Sequence, residues 1–192
     1  EGNKKIHMQT LAALYPEADS YERLLWVCRK MQLSELDSEE IFRRMIFNIL
    51  ANNTDDHNKN FSFLMDESGK WSLSPAYDLT YIFNMRGYLP ETQHCMMIRG
   101  KLSNITLEDV MELAKENGIR RAEKIIMEVS ATVKDFRSFA EKRGAQERWI
   151  SAIEHTIQEN LESWGLIAHT LTETYTDAQG RKIENIRLEQ QF

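Results

Sequence analysis

The feature that most constrains the fold is an abrupt change of character at residue 52. Before it, large apolar residues recur at helical spacing and predict a helix over 37–50 that is buried in a core. These residues are Ile41, Phe42, Met45, Ile46, Ile49 and Leu50. Asp37 is expected to cap this helix, with Glu40 three residues further on. The nine residues 52–60 are all polar, cannot extend the apolar stripe and therefore predict a loop.

A β-hairpin is predicted directly after this loop. Residues 61–65 have the composition of a strand, 66–70 that of a turn and 71–73 that of a partner strand, which Pro75 ends. Because a two-stranded hairpin returns the chain to its starting edge, we expect Asp78 to lie beside the polar loop.

Helical patterns account for most of the remaining chain. Amphipathic helices are predicted at 106–118, 119–143 and 145–164, and a short helix at 8–14. The alternating residues 170–192 fit either a surface hairpin or a frayed end. The predicted fold class is therefore mainly α (α+β), with one small β-hairpin carrying a polar loop at each end.

Composition excludes several classes of protein. The 192 residues have 42% hydrophobic and 28% charged side chains, which are ordinary values for one globular domain. No run of about 18 apolar residues predicts a membrane span. The net charge of −6 argues against a nucleic-acid-binding surface. Cys28 and Cys95 lack the spacing of a metal site and indicate a reducing, cytoplasmic environment.

Three side chains suggest the chemistry. Asp55, Asn60 and Asp78 all offer oxygen atoms, which Mg²⁺ prefers, and Mg²⁺ commonly bridges protein carboxylates to substrate phosphates. Kinases place a catalytic Asp and a metal-binding Asn five residues apart, with a second metal-binding Asp further along the chain. Lys59 would add a positive charge for a phosphate, and His57 would orient the same group.

Two longer strings, 53–62 and 73–79, resemble the kinase core of the HipA family, the toxin kinases of bacterial toxin–antitoxin modules. The similarity extends over residues 5 to about 140. It implies that 1–166 form the helical C-terminal lobe of a protein-kinase-like fold, with 167–192 as a tail that is a possible hairpin. The chain starts without Met and shows neither a Gly-rich phosphate loop nor a strand lysine. We therefore expect the N-terminal lobe to be absent from it and the chain alone to be nearly inactive.

The resemblance also implies the roles of individual residues and partners. It assigns six side chains: the catalytic base Asp55, the metal ligands Asn60 and Asp78, and the nucleotide-binding residues His57, Lys59 and Tyr77. The implied cofactors are Mg²⁺ and ATP, the phosphoryl donor. The implied partners are a protein substrate with a Ser or Thr acceptor, such as an aminoacyl-tRNA synthetase, and a helix-turn-helix antitoxin through which any DNA contact would pass.

The sequence departs from eukaryotic-type kinases at two places. Asn53-Thr54 stands where His-Arg precedes the catalytic Asp, so control through a phosphorylated activation loop is not expected. Leu79-Thr80 follows the metal-binding Asp in place of Phe-Gly, so the usual flip of that segment is not assumed.

Two other functions remain open at this stage. One is a non-catalytic protein-binding module that keeps the lobe without the chemistry. The other is a metal-dependent phosphohydrolase that uses Asp55, Asp56 and His57. Separately, His57 also fits a packing role, Lys59 a solvated charge and Tyr77 a core position. The remaining histidines receive no role: His7, His94, His155 and His169. Trp149 and Trp164 are expected in the core.

Overall fold

The computed structural model describes residues 6–83 and 93–167, and the backbone of two strands beyond them. This part of the chain contains seven α-helices: α1 Leu11–Leu14, α2 Tyr21–Lys30, α3 Glu35–Leu50, α4 Leu107–Glu116, α5 Ala122–Lys134, α6 Phe136–Lys142 and α7 Glu147–Ser163. Its strands are β1 His7–Thr10, β2 Ser62–Met65, β3 Trp71–Leu73, β4 His169–Thr176 and β5 Lys182–Glu189. Within the described residues, no helix combines the length and the apolar character that crossing a bilayer requires.

Helix α3 forms the centre of the molecule, as its apolar stripe predicts. Five of the six stripe residues are buried and the sixth, Ile49, is partly buried against the core. The N-cap of this helix lies three residues earlier than predicted. Ser34 is the N-cap, and Asp37 is the third helical residue of a capping box, in which its carboxylate accepts from the Ser34 backbone N–H. Helix α3 packs against both α5 and α7.

The predicted hairpin is confirmed and gains a third strand. Strands β2 and β3 are antiparallel, with Phe63 opposite Leu73. Strand β1 pairs antiparallel on the other side of β2, with Thr10 opposite Ser62. The helix predicted at 8–14 is therefore wrong before Leu11. Backbone pairing with β2, more than fifty residues away in sequence, outweighs the helix propensity of Met and Gln.

The C-terminal half differs from prediction at two points. The helix predicted at 119–143 is broken at Asp135, which lies between α5 and α6. Trp164 is buried, and its indole N–H donates to the Ile105 carbonyl at 2.9 Å. Trp149, in contrast, is 39% exposed and stacks edge-on against Phe83, so its placement in the core is wrong.

The tail contains a second antiparallel pair. Strands β4 and β5 pair from His169 opposite Glu189 to Thr176 opposite Lys182. This is the hairpin alternative for the tail, whereas the boundary between a lobe at 1–166 and a tail at 167–192 stays a prediction.

Candidate functional site

The polar loop 52–60 starts with a reversal of the chain at the end of α3. Asn52 adopts a left-handed backbone with φ of 55°, a conformation that Asn tolerates better than most residues. Its side-chain amide donates to the Ile82 carbonyl at 3.1 Å, and the Ile82 N–H donates back to the Asn52 carbonyl at 3.1 Å. The beginning of the loop is thus fixed to the segment that follows Asp78.

Asp55 presents its carboxylate to solvent. Its side chain is 55% exposed, and its nearest imidazole nitrogen, His57 Nε2, lies 4.0 Å from Oδ1. The Cys95 thiol donates to the same oxygen at 3.6 Å. An exposed carboxylate that is oriented on one side and open on the other can accept a proton from an incoming hydroxyl.

Asn60 is tied to the same loop through its side chain. It ends a short 3-10 helix, Asn58–Asn60, and its amide nitrogen donates to the Asp55 backbone carbonyl at 2.9 Å. This bond fixes the carboxamide plane. Within the described part of the chain no donor occupies its oxygen, which therefore remains available to a cation.

Tyr77 connects the hairpin's exit to the loop. Its phenolic hydroxyl donates to the Lys59 carbonyl at 2.6 Å and lies 2.5 Å from the Ser62 hydroxyl. Because the single phenolic hydrogen is used on Lys59, the Ser62 hydroxyl is the donor of the second bond. Asp78, the next residue, is exposed and has a left-handed backbone with φ of 56°. The hairpin therefore brings the chain at Asp78 back to the polar loop.

The other predicted nucleotide-binding residues also lie in this loop. Lys59 is exposed, and no described residue forms an ion pair with it. The Nδ1 atom of His57 is buried and has no partner among the described residues. Neither observation tests a contact with phosphate, so the nucleotide-binding roles of His57, Lys59 and Tyr77 stay predictions.

Helix α3 supports the hairpin through two side chains: Arg44, which sequence analysis did not single out, and Asp37, which it expected only as a helix cap. The buried Arg44 guanidinium donates to the Ser74 carbonyl at 2.7 Å and pairs with Glu40 at 2.9 Å. Asp37 accepts from the Leu73 backbone N–H at 3.2 Å. The available signal was an arginine between apolar residues of a core helix. A charged side chain is buried only when it has polar partners, so Arg44 predicts such partners next to α3.

Asp56, next to Asp55, has the opposite environment. Its side chain is 0% exposed and accepts four hydrogen bonds. Oδ2 accepts from the Tyr21 hydroxyl at 2.7 Å and contacts His94 Nδ1 at 3.0 Å. Oδ1 accepts from the backbone N–H groups of Cys95 and Met96 at 2.8 and 3.3 Å. Burial, and next the Asp56 charge, raise the pKa of Tyr21 well above its usual value, so this phenol remains a donor.

The network continues into α3. Asn48 donates to the Tyr21 phenolic oxygen at 3.0 Å, and Asn53 donates to the Asn48 carboxamide oxygen at 2.9 Å. His94, to which the sequence analysis assigned no role, is therefore part of the support beneath the polar loop. Its partner Asp56 lies 38 residues away in sequence, so no local spacing could reveal the pair.

The chemistry of these groups decides which metal the site fits. Across the described residues, no group of three His, Cys, Asp or Glu side chains is arranged to hold a metal ion. Both oxygens of Asp56 are occupied by protein donors, which argues against a phosphohydrolase centre built from Asp55, Asp56 and His57. Asn60 and Asp78 offer two oxygen ligands, which fits Mg²⁺, an ion that takes its remaining ligands from water and phosphate.

Comparison with known proteins gives one family and one fold. The family model described as the HipA-like C-terminal domain matches residues 2–137. A solved structure of Shewanella oneidensis MR-1 HipA, in a toxin–antitoxin complex with HipB and operator DNA, superimposes with a TM-score of 0.62 at 20% identity. The alignment covers 77% of this chain but only 36% of that one, and at this identity it shows the fold alone. No curated protein matches the sequence.

Proposed function

Because the chain belongs to the HipA-like C-terminal domain family, we propose that it is the C-terminal lobe of a serine/threonine protein kinase. The proposed reaction transfers the γ-phosphoryl group of ATP to a protein hydroxyl. The observation that carries the proposal is the bond from Tyr77 to the Lys59 carbonyl, because it ties the chain next to Asp78 to the loop of Asp55 and Asn60.

The proposed roles are those that the family resemblance implies, and the exposure and contacts of the side chains support them. Asp55, open to solvent, accepts the proton of the attacking hydroxyl and orients it. Asn60 and Asp78 would hold Mg²⁺, which supplies charge neutralisation at the β- and γ-phosphates. Lys59 and His57 would face the phosphates, and Tyr77 would border the nucleotide, while its hydroxyl anchors the site.

A kinase of this kind needs a second lobe to cover the nucleotide. The chain spans 36% of the HipA chain to which it is similar, so the remaining cleft would come from other parts of a complete protein. We propose that a Gly-rich phosphate loop and a lysine on a strand lie there. The 192-residue chain alone would then bind nucleotide weakly and turn it over at most slowly.

The proposed partner is a helix-turn-helix antitoxin. The Shewanella oneidensis HipA structure contains HipB and operator DNA, which supports a partner of this kind for the present chain. The net charge of −6 makes direct binding of the DNA backbone unfavourable, so DNA contact would pass chiefly through that partner. A cytoplasmic location follows from this role as part of the proposal.

The test is phosphoryl transfer by the complete gene product that contains this chain. Incubated with [γ-³²P]ATP, Mg²⁺ and a cell extract freed of nucleotides, it should label protein on Ser or Thr. Asp55→Asn should lower the rate roughly 10²–10⁴-fold, since it removes the base. Asp135→Asn is the matched control, because this exposed residue lies between α5 and α6, makes no side-chain capping bond to α6 and is outside the site.

Two outcomes would contradict the proposal. Labelling that survives Asp55→Asn unchanged would exclude the assigned base. Tight Mg²⁺–nucleotide binding without any transfer would favour the non-catalytic protein-binding module.

A further inference from the structure

Asp55 and Asp56 are adjacent carboxylates with opposite environments, and the proposed chemistry uses only the exposed one. Burying a charge costs free energy unless the charge is paired, so we expect the paired Asp56 carboxylate to have a role in the fold. We propose that Asp56 is a positioning residue that fixes the catalytic loop against residues 94–97 and thereby sets the orientation of Asp55. This inference rests on the proposed kinase function for its catalytic consequence, whereas the coupling of the two segments can be tested without activity.

Cys95 is the direct connection between the two carboxylates. Its backbone N–H donates to Asp56 Oδ1 at 2.8 Å, and its thiol donates to Asp55 Oδ1 at 3.6 Å. The same N–H also lies 3.1 Å from the Thr54 carbonyl. Asp56 therefore fixes the backbone at Cys95, and Cys95 in turn contacts the side chain of the proposed base.

Residues 94–97 are themselves held by the rest of the fold. The His94 N–H donates to the Leu102 carbonyl at 2.7 Å. The Met97 N–H donates to the Asp19 carbonyl at 2.8 Å, and the Met97 carbonyl accepts from the Tyr21 backbone N–H at 3.0 Å. Residues 94–97 are thus held in place by the fold, and Asp56 attaches the polar loop 52–60, with its exposed Asp55, to them.

A carboxylate is the group that this geometry requires. The Tyr21 phenol and two backbone N–H groups donate to Asp56, and His94 Nδ1 lies 3.0 Å from Oδ2, to which it donates in the tautomer that carries a hydrogen on Nδ1. An ionised carboxylate accepts on both oxygens, whereas an asparagine of the same shape offers one acceptor and one NH₂. Asp56→Asn removes the charge and one acceptor oxygen. With its remaining oxygen on the N–H groups of Cys95 and Met96, its NH₂ would face Tyr21 and His94, which would both have to become acceptors, so the bonds that hold the loop would be weakened.

The decisive experiment compares Asp56→Asn with Asp109→Asn in the complete gene product. Asp109 is a matched control, since its side chain is 10% exposed and accepts four short hydrogen bonds from Lys101 and Thr106 at the start of α4. Both variants should melt at a lower temperature than the unmodified protein. Only Asp56→Asn should lower kcat, by about 100-fold, because the catalytic base is misplaced.

The split between kcat and KM separates positioning from general destabilisation. The bonds from Asn60 to the Asp55 carbonyl and from Tyr77 to the Lys59 carbonyl do not involve the Asp56 side chain, so the KM for Mg²⁺–ATP should change by no more than about threefold in Asp56→Asn. Equal effects of the two variants on kcat, or an effect of Asp56→Asn on KM alone, would overturn the positioning role. Tyr21→Phe, which removes one donor and keeps the Asp56 charge, should give a smaller fall in kcat than Asp56→Asn.

Amide hydrogen exchange tests the coupling in the 192-residue chain itself. In Asp56→Asn, exchange should rise at least about tenfold at Cys95 and Met96 and, together with them, in residues 53–57, while α5 stays protected. Exchange that is unchanged, or that rises equally throughout the chain, would refute the coupling. If the unmodified protein shows no phosphoryl transfer, the proposed function fails and this exchange pattern still decides the inference.

Discussion

The region around the polar loop 52–60 and the region of helices α4–α7 are stabilised by different forces. Around the loop, ten polar side chains are buried, and most of them form hydrogen bonds with other described residues: Ser20, Arg44, Asn48, Asn52, Asn53, Thr54, Asp56, Ser62, Ser74 and His94. In α4–α7 the buried faces are apolar except for Asp109 and Ser130, and ion pairs lie on the surface.

The two regions therefore differ in how exactly their side chains must be positioned. Apolar packing is non-directional and tolerates changes that conserve volume. Hydrogen bonds hold only at defined distances and angles, and a buried group that loses its partner is penalised. The stability of the loop region should therefore fall when a single hydrogen-bonding atom is removed, whereas that of the helical region should fall mainly when side-chain volume is lost.

The largest effect is expected from a cavity in the helical region. Leu113 of α4 is fully buried, so Leu113→Ala should lower the free energy of unfolding by about 2–5 kcal/mol. Leu113→Met keeps most of the volume and should cost less than about 1.5 kcal/mol. Urea denaturation of the two variants measures both values. Equal losses would show that this region depends on shape as strictly as the loop does.

The next effect is expected from a single oxygen atom in the loop region. Tyr21→Phe keeps the ring but removes a donor from Asp56 and the acceptor of Asn48, and should cost about 1–3 kcal/mol in unfolding free energy. Tyr15→Phe is the control, since the Tyr15 hydroxyl makes no hydrogen bond to the described residues. The proposed contrast between the regions breaks down if the two substitutions cost the same.

A third, smaller effect should appear in the reactivity of Cys95. Burial, and next the charges of Asp55 and Asp56, raise the pKa of this thiol to about 11. Negative neighbours disfavour the thiolate, so Asp55→Asn should lower the pKa and speed alkylation by iodoacetamide at pH 8–9. Mass spectrometry of the labelled peptide measures the rate. Cys28, buried and with a pKa raised to about 12, serves as the internal reference. Slower alkylation of Cys95 in Asp55→Asn than in the unmodified protein would contradict this prediction.

The smallest effect is expected at the surface of α6 and α7. Arg137 pairs with Glu154 at 2.7 Å and with Glu147 at 2.9 Å, but all three side chains are at least partly exposed to solvent. Arg137→Gln should therefore cost at most about 1 kcal/mol, and less at high salt. Thermal melts at low and high ionic strength check this, and a loss as large as that of Leu113→Ala would mean that the surface contributes much more than proposed.

Local patterns in the sequence were sufficient for part of the fold. The stripe of α3 and the β2–β3 hairpin were predicted because their signals lie within a few neighbouring residues. Strand β1 was missed because its pairing with β2 is long-range. The break between α5 and α6 was missed because Lys134, Asp135 and Phe136 include neither Gly nor Pro.

The candidate site also has a part that local sequence signals predict and a part that depends on long-range contacts. The spacing of Asp55 and Asn60 and the return of the hairpin toward Asp78 could be read from sequence, since a loop and a hairpin are local. The support beneath them could not, because Asp56 takes its partners from positions 35 to 40 residues away. Trp149 was misplaced for a similar reason, as helical spacing alone does not tell which face a neighbouring segment covers.

The central proposal is that Asn60 and Asp78 hold one divalent ion beside the proposed base Asp55. Its most direct test is an NMR titration of the isotope-labelled 192-residue chain with Mn²⁺ and ATP, in which the paramagnetic ion broadens nearby signals. We predict the strongest broadening at the Asn60 side-chain amide and at the backbone amides of Asp55 and Asp78, lost in Asp78→Asn. Broadening that spares these three residues, or that persists unchanged in Asp78→Asn, would contradict the account.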